Sequence, residues 1–265
     1  MEIIILETSA QVAERGAQIV CELVRKQPDS VLGLATGSTP MALYERLIEK
    51  HKTNGVSFSS VTTFNLDEYV GLDPQHPQSY RYFMNKNLFE HIDIKPQNTH
   101  IPPGNLDNPL AAGPQYEDQI RQAGGIDLQI LGIGANGHIG FNEPTSSLGS
   151  RTRIKTLTKK TIDDNSRFFA QDEFQPYLAV TMGIATIMES KRIILLATGW
   201  KKAEAVAETV EGPVCALCPA SALQWHPCTS MILDTAAASL LKHTAYYKFV
   251  LNEQDRLVER FGDPR

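Results

Sequence analysis

Short runs rich in Ile, Val and Leu alternate along most of the chain with segments in which apolar residues recur every three or four positions. The first kind suits strands buried on both faces and the second suits amphipathic helices, so the alternation predicts a mostly parallel sheet covered by helices. Residues 2–6 read as the first strand. Thr8-Ser9-Ala10-Gln11 then has the form of a capping box, and Val12, Gly16, Ile19, Val20, Leu23 and Val24 share one face of a helix that ends before Pro28. Further strands are expected at Val31–Ala35, Val61–Asn65, Ile126–Ile133, Lys191–Thr198 and Met231–Leu233. Helices are expected at Pro40–Glu49, Ser79–His91, Gln115–Gln122 and from about Lys201 to Glu211. Val180-Thr181-Met182-Gly183 reads as the opening of another helix, Arg153–Leu157 as a short surface strand, and Pro102-Pro103-Gly104 and Asn142–Gly149 as loops. No repeat, low-complexity tract or linker divides the chain, so residues 1–265 are expected to form one α/β domain.

Composition narrows the partners. The 265 residues carry 25 Lys and Arg against 30 Asp and Glu, a formal net charge of −5. Such a chain has no general field for nucleic acid or an anionic membrane, and any bound anion needs a local site. The longest apolar runs, such as Ile3–Leu6 and Ile193–Ala197, fall far short of the roughly 18 residues of a membrane span. With Glu2 and Glu7 near the start and no basic n-region, a secretory signal is not expected, and the protein reads as cytoplasmic. Four cysteines are too sparse for a disulfide framework. Cys215-Ala216-Leu217-Cys218 is formally a CxxC, but no second half-site of the right spacing follows, so neither a metal nor a cofactor is expected.

The candidate chemistry gathers at strand ends. Leu32-Gly33-Leu34-Ala35-Thr36-Gly37-Ser38-Thr39-Pro40 passes from strand to helix through small residues, a turn that can aim backbone N–H groups and hydroxyls at an anion. It lacks the lysine of a Walker A loop. Asp67 and Glu68 stand just beyond the strand Val61–Asn65, at the sheet edge where open α/β folds bind ligands. Gly132-Ile133-Gly134-Ala135-Asn136-Gly137 matches GxGxxG, yet Gly140 and Pro144 prevent the long helix that a dinucleotide fingerprint needs. The glycines instead build a loop carrying His138 and Glu143, a pairing suited to acid/base work. Lys201 and Lys202 open a second strand-to-helix turn, where the helix dipole disfavours cations unless an anion binds beside them. Arg167 is a further candidate cation. Together these features point to a phosphorylated small molecule with acid/base groups over its other end.

The motifs Leu32–Pro40, Phe64–Leu72 (FNLDEYVGL), Ser79–Phe83, Leu131–Pro144 (LGIGANGHIGFNEP), Ser150–Thr158 (SRTRIKTLT) and Asn165–Phe169 (NSRFF) together resemble glucosamine-6-phosphate deaminases, the NagB family, over nearly the whole length. The resemblance implies a Rossmann-like, doubly wound α/β fold and conversion of glucosamine 6-phosphate to fructose 6-phosphate and ammonia. It makes Asp67 the base that moves a proton between the amine-bearing carbon and the anomeric carbon. His138 becomes the group that opens the sugar ring, supported by Glu143 and Asn136. Asn136 is a departure, since many members carry Asp there. Gly37, Ser38, Thr39, Arg167 and Lys202 would hold the phosphate. Larger members are hexamers activated by N-acetylglucosamine 6-phosphate between subunits, and Ser146, Arg153 and Lys155 match that allosteric motif. A homo-oligomer, hexameric by resemblance, is therefore expected.

The rivals are a 6-phosphogluconolactonase, a galactosamine-6-phosphate deaminase, a sugar-phosphate-sensing protein without turnover, and a dehydrogenase reading of the GxGxxG. A lactonase needs no base placed for enolisation, which FNLDEYVGL would supply; intact Asp67, His138 and Glu143 speak against a mere sensor.

Overall fold

Seven strands pair side by side in parallel in the computed structural model, which describes residues 1–104, 108–157, 162 and 174–262. The chain runs through β1 (Glu2–Leu6), α1 (Ser9–Lys26), β2 (Val31–Leu34), α2 (Ser38–Asn54), β3 (Thr62–Asn65), β4 (Asp67–Tyr69), α3 (Tyr80–Asn87), β5 (Thr99–His100) and α4 (Ala112–Gln122). It continues with β6 (Leu128–Leu131), β7 (Arg153–Thr156), β8 (Leu178–Thr181), α5 (Ile184–Met188), β9 (Arg192–Ala197), α6 (Ala203–Glu211), β10 (Thr229–Asp234) and α7 (Thr244–Phe261). The large sheet has the order β1-β10-β9-β6-β2-β3-β5.

Both faces of that sheet are covered, which explains why its strands read as continuous apolar runs. Ile193, Leu195 and Ala197 of β9 join one core with Tyr116 of α4 and Val206 of α6. Ile194 and Leu196, one residue out of phase, join the other core with Val20 of α1 and Leu43 of α2. The architecture is the doubly wound, Rossmann-like α/β fold. α1 begins as expected: Gln11 N–H donates to Thr8 Oγ1 at 3.3 Å while Gln11 Oε1 accepts from Thr8 N–H at 3.0 Å, a reciprocal cap.

Several elements depart from the sequence reading. Val180–Gly183 does not open a helix: Val180 and Thr181 end β8, and α5 starts only at Ile184. β8 pairs antiparallel with β4 and β7 in a second, three-stranded sheet, matching Thr181 with both Asp67 and Arg153. β-branched residues favour such a strand, but partners more than a hundred positions away in β4 leave no local signature. The expected helix Ser79–His91 stops at Asn87 and gives way to a short 3-10 turn, and α7 was not anticipated at all. The surface strand at Arg153–Thr156 is present.

The chain fills the sheet outward from β2 through β3 to β5, returns to β6 beside β2, and then moves the other way to β9 and β10. Strand order thus reverses between β2 and β6. At their carboxyl ends the following loops must part, and that reversal leaves a crevice.

Candidate active site

A cavity of about 420 Å³ occupies the crevice, lined by Thr36–Pro40 after β2, Asp67 after β3, Gly132–Asn136 with His138 and Glu143 after β6, and Lys202 after β9. Four separate strand ends converge there, so residues far apart in sequence face one volume.

One wall is built to take an anion. The chain leaves β2 at Ala35 and turns at Gly37, whose φ of 120° is open to glycine, into the 17-residue helix α2. No side chain caps that helix, so its first N–H groups point at the cavity beside the hydroxyls of Ser38 and Thr39. Lys202 closes the same wall from a 3-10 turn that follows Gly199. Burial holds its ammonium below the ordinary lysine range, a cost that a bound anion would offset. Asp234, at the end of β10, anchors the turn: both of its oxygens accept from Gly199 N–H at 3.0 Å, and one accepts from Ala237 N–H at 2.7 Å. No local pattern marks Asp234 for this part beyond its place at a strand's carboxyl end.

Asp67 is 6% exposed, and burial, with the neighbouring Glu68 charge second, pushes its carboxyl up to about 8. Glu68 stays an acceptor: it takes hydrogen bonds from Tyr69 N–H at 2.8 Å, Ser79 Oγ at 2.9 Å, and Tyr80 and Arg81 N–H at 3.0 Å. It therefore caps α3 rather than entering the cavity, although burial still raises its own titration. Two adjacent acids that the sequence could not tell apart are thus given different tasks. α3 in turn presents Tyr80 to the cavity, with its ring parallel to Phe141 (6° between planes, centroids 6.1 Å apart) and its hydroxyl 3.3 Å from that of Tyr69. Tyr80 lines the cavity without any mark of that role in its local sequence.

The loop after β6 carries the remaining groups. His138 Nδ1 lies 3.3 Å from Glu143 Oε1, an ion pair whenever the ring is protonated. Asn136 Nδ2 donates to Glu143 Oε2 at 2.7 Å, and Asn136 Oδ1 accepts from His138 N–H at 3.3 Å. The imidazole lies so close over Gly134 that a Cβ there would stand 2.3 Å from the ring. That requirement, not dinucleotide binding, explains the second glycine of the GxGxxG. Among the described residues, no group of three or more His, Cys, Asp or Glu is placed to hold a metal.

Of the residues singled out from sequence, Gly37, Ser38, Thr39, Asp67, Asn136, His138, Glu143 and Lys202 all line this one cavity. Arg167 lies outside the described residues. Ser146, Arg153 and Lys155 do not line it: Ser146 is buried, and Arg153 on β7 donates to Asn142 Oδ1 at 2.8 Å. Arg151 precedes β7 and pairs with Glu117 and Glu189.

Residues 6–231 match the family model of glucosamine-6-phosphate isomerases and 6-phosphogluconolactonases, and the chain belongs to that family. Within it, the chain is 59% identical to the glucosamine-6-phosphate deaminase of Shewanella woodyi over 99% of each chain, and 58% identical to that of Cellvibrio japonicus over 99% of this chain and all of the other. A solved structure described as a monomeric glucosamine-6-phosphate deaminase superposes with a TM-score of 0.87 at 45% identity, covering 91% of this chain and 100% of its own. A 6-phosphogluconolactonase from Trypanosoma cruzi shares the fold at 19% identity and a TM-score of 0.73.

The monomeric relative corrects one expectation. A hexameric homo-oligomer was inferred from the family's larger members, but a deaminase of this close likeness is a monomer. An effector site for N-acetylglucosamine 6-phosphate between subunits loses its ground with the hexamer. Arg153 and Lys155 sit on a strand paired within the same chain, and Arg153 already has a protein acceptor.

Proposed function

We infer that the cavity carries out, through Asp67 and the His138–Glu143 pair, the conversion of glucosamine 6-phosphate and water to fructose 6-phosphate and ammonia, a step of amino-sugar catabolism in the cytoplasm. The observation that carries the assignment of roles is the meeting, in one cavity, of an uncapped helix N-terminus with a buried carboxyl and a carboxylate-backed imidazole. The chain acts as one unit, because the strand ends that supply these groups span residues 35 to 202.

The phosphate rests on the N–H groups of Gly37, Ser38 and Thr39 and on Lys202, with Arg167 joining by resemblance. Charge-assisted contacts of this kind fix the rest of the sugar for proton transfer. His138 moves the proton that opens the ring, and Glu143 stabilises the imidazolium while it carries that proton. The aldehyde so formed acidifies the neighbouring C–H. Asp67 as carboxylate takes that proton; the electron pair left on the amine-bearing carbon moves into a C=C bond while the C=O π pair moves onto the aldehyde oxygen, which takes up a proton, giving an enolamine. Protonation at the former aldehyde carbon leaves an imine, water adds to it, and ammonia departs. A buried base suits this step, since desolvation makes the carboxylate hungrier for the proton.

The reading is tested by incubating the protein with glucosamine 6-phosphate and following ammonia and fructose 6-phosphate together. Equal yields support it. Ammonia from galactosamine 6-phosphate alone, or turnover of 6-phosphogluconolactone alone, would replace it with one of the rivals.

A further inference from the structure

The loop that carries Asn136, His138 and Glu143 is clamped at both ends by a short turn between α6 and β10. Ala220 N–H donates to the carbonyl of Gly137 at 2.9 Å, and Thr145 N–H donates to the carbonyl of Ala216 at 2.7 Å. Thr145 holds a φ of 76°, which for a β-branched residue is strained and persists only because its surroundings impose it. Between the two clamps, Cys218 Sγ packs against Gly137, so close that a Cβ on residue 137 would stand 2.6 Å away, and it lies 3.5 Å from Thr209 Oγ1 of α6. The catalytic loop thus rests on a thiol.

That thiol has a partner. Cys215 and Cys218 face each other across an isolated antiparallel bridge, closed by Cys218 N–H donating to the Cys215 carbonyl at 3.2 Å. Residues opposed in this way have Cα atoms about 4.5–5.5 Å apart, inside the span of about 4.4–6.8 Å that a disulfide accepts. Both are free thiols; Cys218 is buried and Cys215 partly exposed, and neighbouring Leu217 is 69% exposed at the tip of the turn. A reagent therefore reaches Cys215 first.

We propose that Cys215 and Cys218 form an oxidisable dithiol, taking a hydroperoxide as its substrate, and that closing the pair into a disulfide slows the site by withdrawing the support beneath Gly137. The Cys215 sulfur attacks the terminal peroxide oxygen: an S–O bond forms, the O–O bond breaks, and the departing oxygen takes the thiol proton and leaves as water from hydrogen peroxide or as an alcohol from an organic hydroperoxide. The Cys218 sulfur then attacks the Cys215 sulfur, an S–S bond forms, the S–O bond breaks, and a water leaves. The two sulfurs lose two electrons, which reduce the peroxide, and a dithiol reductant reverses the change. To reach Cys215, Cys218 Sγ must leave its place between Gly137 and Thr209. Because the loop positions His138 for proton transfer, a small shift is felt mainly in turnover, about tenfold or more.

The test treats the full chain with hydrogen peroxide and then follows two independent readouts: mass mapping of the peptides containing residues 215 and 218, and ammonia release from glucosamine 6-phosphate. Expected are the loss of two hydrogen atoms within that turn, a fall in kcat of about tenfold or more, and recovery of both with dithiothreitol. Cys215→Ser, which touches nothing in the cavity, should keep the untreated activity and escape the loss. Absence of a bridged peptide overturns the proposal, as does a bridged peptide with unchanged kcat or an equal loss in Cys215→Ser. The activity readout rests on the deaminase reading. If untreated protein releases no ammonia, that reading fails by itself, and the mass mapping still decides whether the dithiol closes.

Discussion

Asn136 reaches His138 through Glu143: its Nδ2 donates to one oxygen of that carboxylate at 2.7 Å while the other oxygen lies 3.3 Å from the imidazole Nδ1. The amide therefore acts as a neutral donor that steadies a single anion behind the ring. In Asn136→Asp, two carboxyls would meet at hydrogen-bond distance and share one proton. While that proton is held, the introduced carboxyl should donate as the amide does and kcat should stay within about threefold. Once it is lost, repulsion should displace Glu143, so the pH dependence of kcat should gain a step absent from the wild type. Superimposable profiles would place position 136 outside the relay.

Asp67→Asn keeps the side chain's volume and removes the base. A fall in kcat of about 10²–10⁴ is expected from steady-state kinetics, and ligand titration should show weakened substrate binding only at pH values where the wild-type carboxyl is ionised. The same variant should be more stable than the wild type. The folded carboxyl titrates at about 8 against an ordinary value of 3.8, so the folded chain binds the proton more tightly and loses stability as pH rises between those values. Thermal unfolding should show the Asp67→Asn substitution raising Tm more at pH 8 than at pH 4.

Because kcat/KM reports the free protein, its pH profile should rise through about 8 as Asp67 ionises. The substrate brings an ammonium group toward the same carboxyl, which favours the carboxylate. The corresponding limb of kcat should therefore lie at lower pH. Limbs at equal pH would mean that the amine does not approach Asp67.

Gly134→Ala tests the packing of the imidazole. A methyl group 2.3 Å from the ring cannot be accommodated without moving His138. Turnover should fall by about 100-fold while the far-ultraviolet circular dichroism spectrum is unchanged, since a misplacement of about 1 Å is enough for such a loss.

Lys202→Met leaves the aliphatic stem and removes the charge. A hydrogen bond to a charged group contributes about 1.5–3 kcal/mol, so KM for glucosamine 6-phosphate should rise about 10- to 100-fold with kcat nearly unchanged. Equal loss in kcat would instead give Lys202 a part in the chemistry.

Local features of the molecule were legible along the chain. Short continuous apolar runs identified the strands buried on both faces and the 3.6-residue period most helices, because each residue's environment there repeats with its neighbours'. Small residues at Gly37–Thr39 and the acids and imidazole at Asp67, His138 and Glu143 marked strand ends, and all of them line the cavity. What depended on contacts between distant segments was not legible. β8 becomes a strand only by pairing with β4 and β7; Glu68 differs from Asp67 only because the amino end of α3 folds back onto it; Asp234 matters only because the turn at Gly199 comes to rest on it. Arg151 likewise takes its partners, Glu117 and Glu189, from other elements. Periodicity tells a side chain which way to face, but the partner it finds there, and hence its charge and its task, is set by tertiary packing.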